Sequence, residues 1–262
     1  KQLLSDALGD HLSVKMFGAI GDGVTDDSVS FQSAISYAVG HRSFLYVPPG
    51  VYLTSATLNI PGSLILYGAS GTVTRKTVIL YSGSGIAVQV LNPTPTSGVP
   101  WVFRFYLRNL SINSTLGWNV ATIGLDLHNV SEFEVKDVLV GTSNATGFGI
   151  GIRGALDIGV LSGIIPAGNH VGFFAAWMDE PLGPIVPCTS VEICGASNFF
   201  NNDTPISIAG LVDSHIHNCW FEQFKNAFLF DNALSPAAGC VVHNVTVDNN
   251  GFSGYTTGAY TD

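Results

Sequence analysis

The sequence predicts an all-β chain wound as a parallel β-helix, and three observations carry that prediction. The first is a repeat. Around Ile216 an apolar residue is followed by Asn218 at +2 and apolar residues at +3 and +5, and the pattern returns at Leu107 (Asn109, Leu110, Ile112), Val135 (Asp137, Val138, Val140) and Val242 (Asn244, Val245, Val247). Weaker copies stand at Ile193 and Val160. The second is an earlier anchor eight residues ahead in four copies (Leu127, Ile152, Ile185, Ile208), with Phe230 twelve ahead of Val242; these anchors are spaced 25, 33, 23 and 22 residues apart. The third is the character of the units, which are short alternating runs of Val, Ile and Phe broken by Gly, Asn and Ser. Alternation with frequent turn residues reads as strands. A degenerate period of this length reads as a solenoid whose units rest on their neighbours. A β-sandwich has strands of similar length but gives no reason for a fixed offset between two anchors and an Asn.

Stacked turns of such a coil lie about 4.8 Å apart, so equivalent residues form columns. Asn109, Asp137, Asn218 and Asn244 are therefore expected to make one internal polar ladder that satisfies backbone groups at a bend.

The 262 residues suffice for a single repeat domain. Apolar residues make up 46 % and charged residues only 11 %, yet no apolar run reaches the roughly 18–20 residues of a membrane span. The net charge of -9 argues against nucleic acid and anionic membranes as partners. Cys188, Cys194, Cys219 and Cys240 match no zinc spacing, and Cys219 reads as a small core residue. No metal and no cofactor is expected. The six Asn-x-Ser/Thr sequons read as a by-product of Asn-rich turns. A chain that opens on Lys1 with no signal-peptide pattern is expected to be a processed product or a fragment.

In chain order, residues 1–13 read as a lead-in. In 14–52 a short strand enters a Gly-rich turn, and Thr25 or Asp26 caps a helix over roughly 26–39 with Phe31, Ala34, Ile35 and Ala38 on one face. Phe44–Tyr52 then reads as strand, tight turn and strand. Residues 53–262 supply the coils, with a loop inserted at about 166–184 that holds Phe174 and Trp177. No capping element is evident in the last dozen residues, so a continuation of the chain or a partner is expected to cover that end.

The run Phe17-Gly18-Ala19-Ile20-Gly21-Asp22-Gly23-Val24-Thr25-Asp26-Asp27, the helix after it and Val47-Pro48-Pro49-Gly50-Val51-Tyr52 resemble the opening of the pectate-lyase-like superfamily of right-handed β-helices. Phage tailspikes and capsule depolymerases of that superfamily commonly begin this way. The resemblance implies that the segment is an N-terminal cap whose helix covers the open end of the first coil, and that Asp22, Asp26 and Asp27 are structural. It further implies a polysaccharide partner, an extracellular setting (secreted or virion tail) and homotrimers. The Gly-His-Gly and Arg-Ile-Lys signatures of polygalacturonases are missing, as are the Trp-Ile-Asp-His and Arg-x-Pro-x-x-Arg patterns of calcium-dependent pectate lyases. No catalytic set carries over from either.

Residues flanking each anchor point outward. On that rule one face gathers Glu192, His215, His217 and His243 on adjacent turns, with Glu134 and Lys136 further along and Asp213 and Glu222 beside the same strand. Stacked ionisable groups about 5 Å apart shift one another's pKa, which suits acid–base work. The catalytic candidates are Glu192, His215, His217, Asp213 and Glu222; the substrate-binding candidates are Glu134, Lys136, Trp177, Phe174 and His243. A hydrolase would pair Glu192 with Asp213 or Glu222 across the bond. A lyase would use His215 or His217 as base, with Lys136 or Arg108 facing a uronate carboxylate. A non-catalytic module that grips glycan as a receptor-binding or structural spike segment is the competing class.

Overall fold

The computed structural model describes residues 12–69, 76–92, 101–117, 120–142, 147–176, 187–224, 228–230, 241–248 and 250–253. Every strand pairing in it is parallel, and the strands form four stacked rows wound around one core. The first row runs through Phe44–Val47, Leu64–Gly68, 105–108, 133–136, 159–162, 191–194, His215–His217 and Thr246–Asp248. The second runs from Gly50–Thr54 and Thr77–Tyr81 to Asn198–Phe200, Trp220–Glu222 and Gly251–Ser253. The third runs from Leu58–Ile60 through 123–127, 150–154, Val171–Ala175 and Thr204–Ile208 to Phe228–Phe230. A short fourth row, from Val102–Phe103 to Gly210–Val212 and Val241–His243, bridges the third and the first.

Alternate residues of the first row fill the interior. Leu45, Leu66, Leu107, Val135, Leu161, Ile193 and Ile216 stack in register and none is more than 1 % exposed. In the second row Phe199, Phe221 and Phe252 pile ring on ring, with centroids 5.0 and 5.1 Å apart. Helix α1 (Ser28–His41) closes the first coil, burying Phe31, Ala34, Ile35 and Ala38 completely. That i, i+3, i+4, i+7 spacing is a single helical face. Asp27 sits beneath the cap, taking the Ile20 and Gly21 amides at 2.7 and 2.9 Å, while Asp26 receives the Ser28 amide and the Ser28 and Ser55 hydroxyls. These carboxylates are committed to backbone and hydroxyl groups of the cap and of Ser55 in the first coil. Gly21 has a φ of 72°, and a Cβ there would lie 2.9 Å from the Tyr52 ring, so glycine is required. No described helix is long and apolar enough to cross a membrane.

Three expectations need correction. First, Asn109, Asp137 and Asn218 share a corner but do not form an internal ladder: Asp137 and Asn218 are exposed, and all three have left-handed backbone, with φ of 59°, 54° and 54°. The chain bends from the first row into the second at that residue, and Asn and Asp tolerate the αL conformation that the bend demands. Asn244 belongs to another corner, between the fourth row and the first, with Arg104, Glu132, Ile158, Ser190 and Asp213, all at positive φ. The buried asparagines among the described residues are Asn129, Asn169 and Asn202, the last two joined at 3.2 Å and bonded to backbone of neighbouring coils. Second, two registers slip. Leu161, not Val160, stacks between Val135 and Ile193, and Val247, not Val242, stacks on Ile216. In the third row Leu127, Gly154, Ala175, Ile208 and Phe230 align, so Ile152 is two positions off; Ile185 lies outside the described residues. Third, the interval 166–184 is not all loop, since Ile165–Ala167 and Val171–Ala175 are rungs of the second and third rows.

The outer side of the third row holds a buried ion pair that the sequence did not single out. Asp126 is 0 % exposed and takes two hydrogen bonds from Arg153, at 2.7 and 2.6 Å, and one from Gln89 at 3.0 Å, so three successive coils are clamped together. Replacing Arg153 with Met leaves this buried carboxylate with no counter-charge and the Gln89 amide alone, and a loss of about 3 kcal/mol is expected in denaturant unfolding. At the fourth-row corner Ile158 is 55 % exposed with φ 47°, a poor conformation for a β-branched residue. Ile158→Asn is expected to raise stability by about 1 kcal/mol in the same assay, because αL costs an ordinary L-residue about 1–2 kcal/mol.

Candidate functional site

On the outer face of the first row the register places Glu192 opposite His215, and His217 opposite Asp248 on the following rung. His215 and His217 are two apart on one short strand, so both leave the same face, and their rings stack with centroids 4.1 Å apart. His217 Nε2 lies 2.8 Å from a Glu192 carboxylate oxygen and its Nδ1 lies 2.7 Å from the Asn218 side-chain nitrogen. Glu192 can only accept, so His217 donates from Nε2, and its Nδ1 faces the Asn218 side-chain amide. The hydrogen bond from His217 holds the Glu192 carboxyl below the usual carboxylate range, with partial burial opposing it. Glu192 is thereby kept ionised.

His215 Nε2 lies 2.9 Å from Asp248 Oδ1. Asp248 accepts from Nε2–H of the ring and leaves Nδ1 with no protein partner among the described residues. The carboxylate orients the imidazole, and the imidazole's far nitrogen can take a proton. The His215 and Asp248 side chains are 42 % and 57 % exposed, open to a large ligand, whereas His217 is 20 % exposed and acts as the wall behind them. Cys194, beside Glu192 on the same strand, has its thiol pKa pushed up by burial and then by the nearby Glu192 charge. Cys188 and Cys219 are buried, with thiols pushed up to about 12 by burial.

Around the Asn218 corner is a cleft of about 610 Å³ lined by Asn198, Asn218, Trp220, Glu222, Asn250 and Gly251 among others. Trp220 is 43 % exposed, and Gly251 on the next coil is needed beneath it, since a Cβ there would fall 1.9 Å from the indole.

Of the residues expected to be catalytic, the structure brings together Glu192, His215 and His217. Asp213 sits at the preceding corner with φ 47° and accepts the Asn244 side-chain amide at 2.7 Å. Glu222 lies on the second row beside Asn198, in the Trp220 cleft. Glu134 and Lys136 are on the first-row face, where Glu134 is ion-paired with Arg108 and Lys136 is exposed. Phe174 is 3 % exposed and packs with Val171 and Ala209, so its ring face is closed to a sugar. His243 pairs with Val212 in the fourth row, away from the His215 column; its side chain and all of Trp177 lie outside the described residues. Asp248 is the member the sequence argument missed: it occupies the place expected for His243, and the signal was Val247 as the true anchor.

The family profile described as "Rhamnogalacturonase A/epimerase, pectate lyase-like" matches residues 11–177. The pre-neck appendage protein of Bacillus phage PZA is 33 % identical over 116 residues, 43 % of this chain and 13 % of that protein. Mannuronan C5-epimerase AlgE4 of Azotobacter vinelandii is 38 % identical over 81 residues, 30 % of this chain and 13 % of that enzyme. Among solved structures, the catalytic unit of a GH87 α-1,3-glucanase from Streptomyces thermodiastaticus superposes with a TM-score of 0.59 at 16 % identity, over 93 % of this chain and 47 % of that one. The matched stretches amount to 4–13 % of the length of the first curated relatives. The protein is thus a right-handed parallel β-helix related to phage appendage proteins and carbohydrate-active enzymes. The chain belongs to the rhamnogalacturonase A/epimerase, pectate lyase-like family.

Proposed function

We propose that the protein binds a polysaccharide outside the cell, as a virion or secreted component, and cleaves it by proton abstraction at His215. The observation that carries this reading is the Asp248–His215 pair, an imidazole oriented by a carboxylate with a lone pair left for a substrate proton. Elimination is favoured over hydrolysis. A hydrolase needs a second carboxyl group across the bond from Glu192, whereas Asp213 sits at a separate corner bonded to Asn244 and Glu222 lies round the bend on the second row. In elimination, Nδ1 of His215 takes the proton on the carbon next to a uronate carboxylate. The electron pair forms the ring double bond, and the glycosidic oxygen departs. Lys136 lies three rungs from His217, about 14 Å at 4.8 Å per rung, so it would serve the carboxylate of a different sugar unit. Trp220 offers a face on which a sugar ring can stack, with Glu222 and Asn198 for its hydroxyls.

The relation to a phage appendage protein supports a second reading, a module that grips glycan without cutting it, with homotrimers as its tailspike-like form. Incubation with a panel of capsular and uronate-rich polysaccharides separates the two readings, because elimination releases reducing ends together with an unsaturated ultraviolet-absorbing product. His215→Ala is expected to lower that rate by about 10²–10⁴-fold with the fold intact. Unchanged turnover in this variant refutes the assignment, and binding with no product favours the second reading. Trp220→Ala is expected to weaken glycan binding by about 0.5–1.5 kcal/mol, several-fold in Kd, while leaving thermal unfolding near the parent value.

A further inference from the structure

The same face holds a ligand set that the elimination at His215 does not itself call on. A carboxylate oxygen of Glu192, Sγ of Cys194 and a ring nitrogen of His217 all lie within 4.8 Å of one another. A second set, His215, His217 and Asp248, meets the same limit and shares His217. Tetrahedral zinc takes its N, O and S ligands at about 2.0–2.3 Å, which corresponds to ligand-to-ligand edges of about 3.3–3.8 Å. Closing either set requires side-chain movements of about 1 Å, within the reach of rotamer adjustment on a fixed strand pair. We propose that Glu192, Cys194 and His217 bind a divalent transition ion of the zinc class.

Donor chemistry selects the ion. A thiolate, an imidazole and one carboxylate suit zinc or cobalt, whereas calcium wants six to eight oxygen ligands. The thiol gives up its proton when the ion binds, because only the thiolate is a ligand. Cys194 is half-buried and leaves the same strand as Glu192, so its sulfur stands beside the carboxylate at the edge of the exposed face. Asn218 supplies the outer contact. Turning its side-chain amide over puts the oxygen against His217 Nδ1, moves the ring proton to Nδ1 and frees the Nε2 lone pair for the metal. The backbone supplies rigidity, since Glu192 and Cys194 leave one strand two residues apart and His217 leaves the strand hydrogen-bonded to it. Nothing in this site depends on glycan cleavage, so its test and that of the proposed function can fail separately.

The test is a titration of the full chain with Co²⁺, followed by competition with Zn²⁺ and with Ca²⁺. Saturable binding with a thiolate-to-cobalt charge-transfer band is expected, with displacement by Zn²⁺ and none by Ca²⁺. Cys194→Ser should abolish the band, and both Cys194→Ser and His217→Ala should weaken binding by at least about tenfold. Their unfolding transitions in the absence of metal show that the fold is retained. Absence of binding by the parent protein overturns the proposal. So does a band that survives in Cys194→Ser, or binding that lacks the band and disappears in His215→Ala, which would give the ion to the other set.

Discussion

In-register parallel hydrogen bonding between successive coils is the constraint on which the rest of this molecule depends. It holds equivalent residues about 4.8 Å apart, and so turns an offset in sequence into a contact in space. Interior positions respond by becoming uniform: the seven first-row residues from Leu45 to Ile216 are all aliphatic and essentially without exposure. Exterior positions inherit the same spacing without the demand for apolarity. That is how Glu192, His215, His217 and Asp248, drawn from three coils, come within hydrogen-bonding reach on one face.

The fold was legible because its signals are redundant. The cap segment, the strand alternation and the recurrence of two anchors each point to the same coil, and the structure bears out the helix with its buried face at Phe31, Ala34, Ile35 and Ala38. The register was less legible, for a physical reason. Several corners of the coil take left-handed backbone, and two of them are served by Asn or Asp, at Asp137 and Asn218 in one and Asp213 and Asn244 in the other. A motif of apolar residue and following Asn therefore fits either corner. Val242 matched the motif better than Val247, because the residue three beyond Val247 is Asn250, which bonds to the Cys219 amide at 2.9 Å and to the Ile216 carbonyl instead of filling the core. The slip at Val160 has another cause: both it and Leu161 are apolar, and a one-residue shift exchanges the two faces of a strand.

The site inherited these errors in proportion. Glu192, His215 and His217 come from coils whose register was read correctly and meet as expected; His243 comes from the misread coil, and Asp248 holds its place. Phe174 falls in the interval that the sequence marks as a loop, yet it is a rung of the third row, next to Arg153 in the stack. The Asp126–Arg153 pair is not legible in the sequence because strand alternation marks an outward residue as solvated, whereas this carboxylate has no exposure. Burial of an outer face depends on what lies across it, and strand periodicity carries no information about that.

Asn218 occupies a bend and also touches a ring nitrogen of His217. Elsewhere in the same corner Gly163 satisfies the backbone demand with φ 60° and no side chain at all. On this coil a glycine would serve the turn equally well but would erase the amide that meets His217 Nδ1. Conformational need and chemical need thus coincide at a single amide, and a change that looks silent to folding would still be heard by the imidazole beside it.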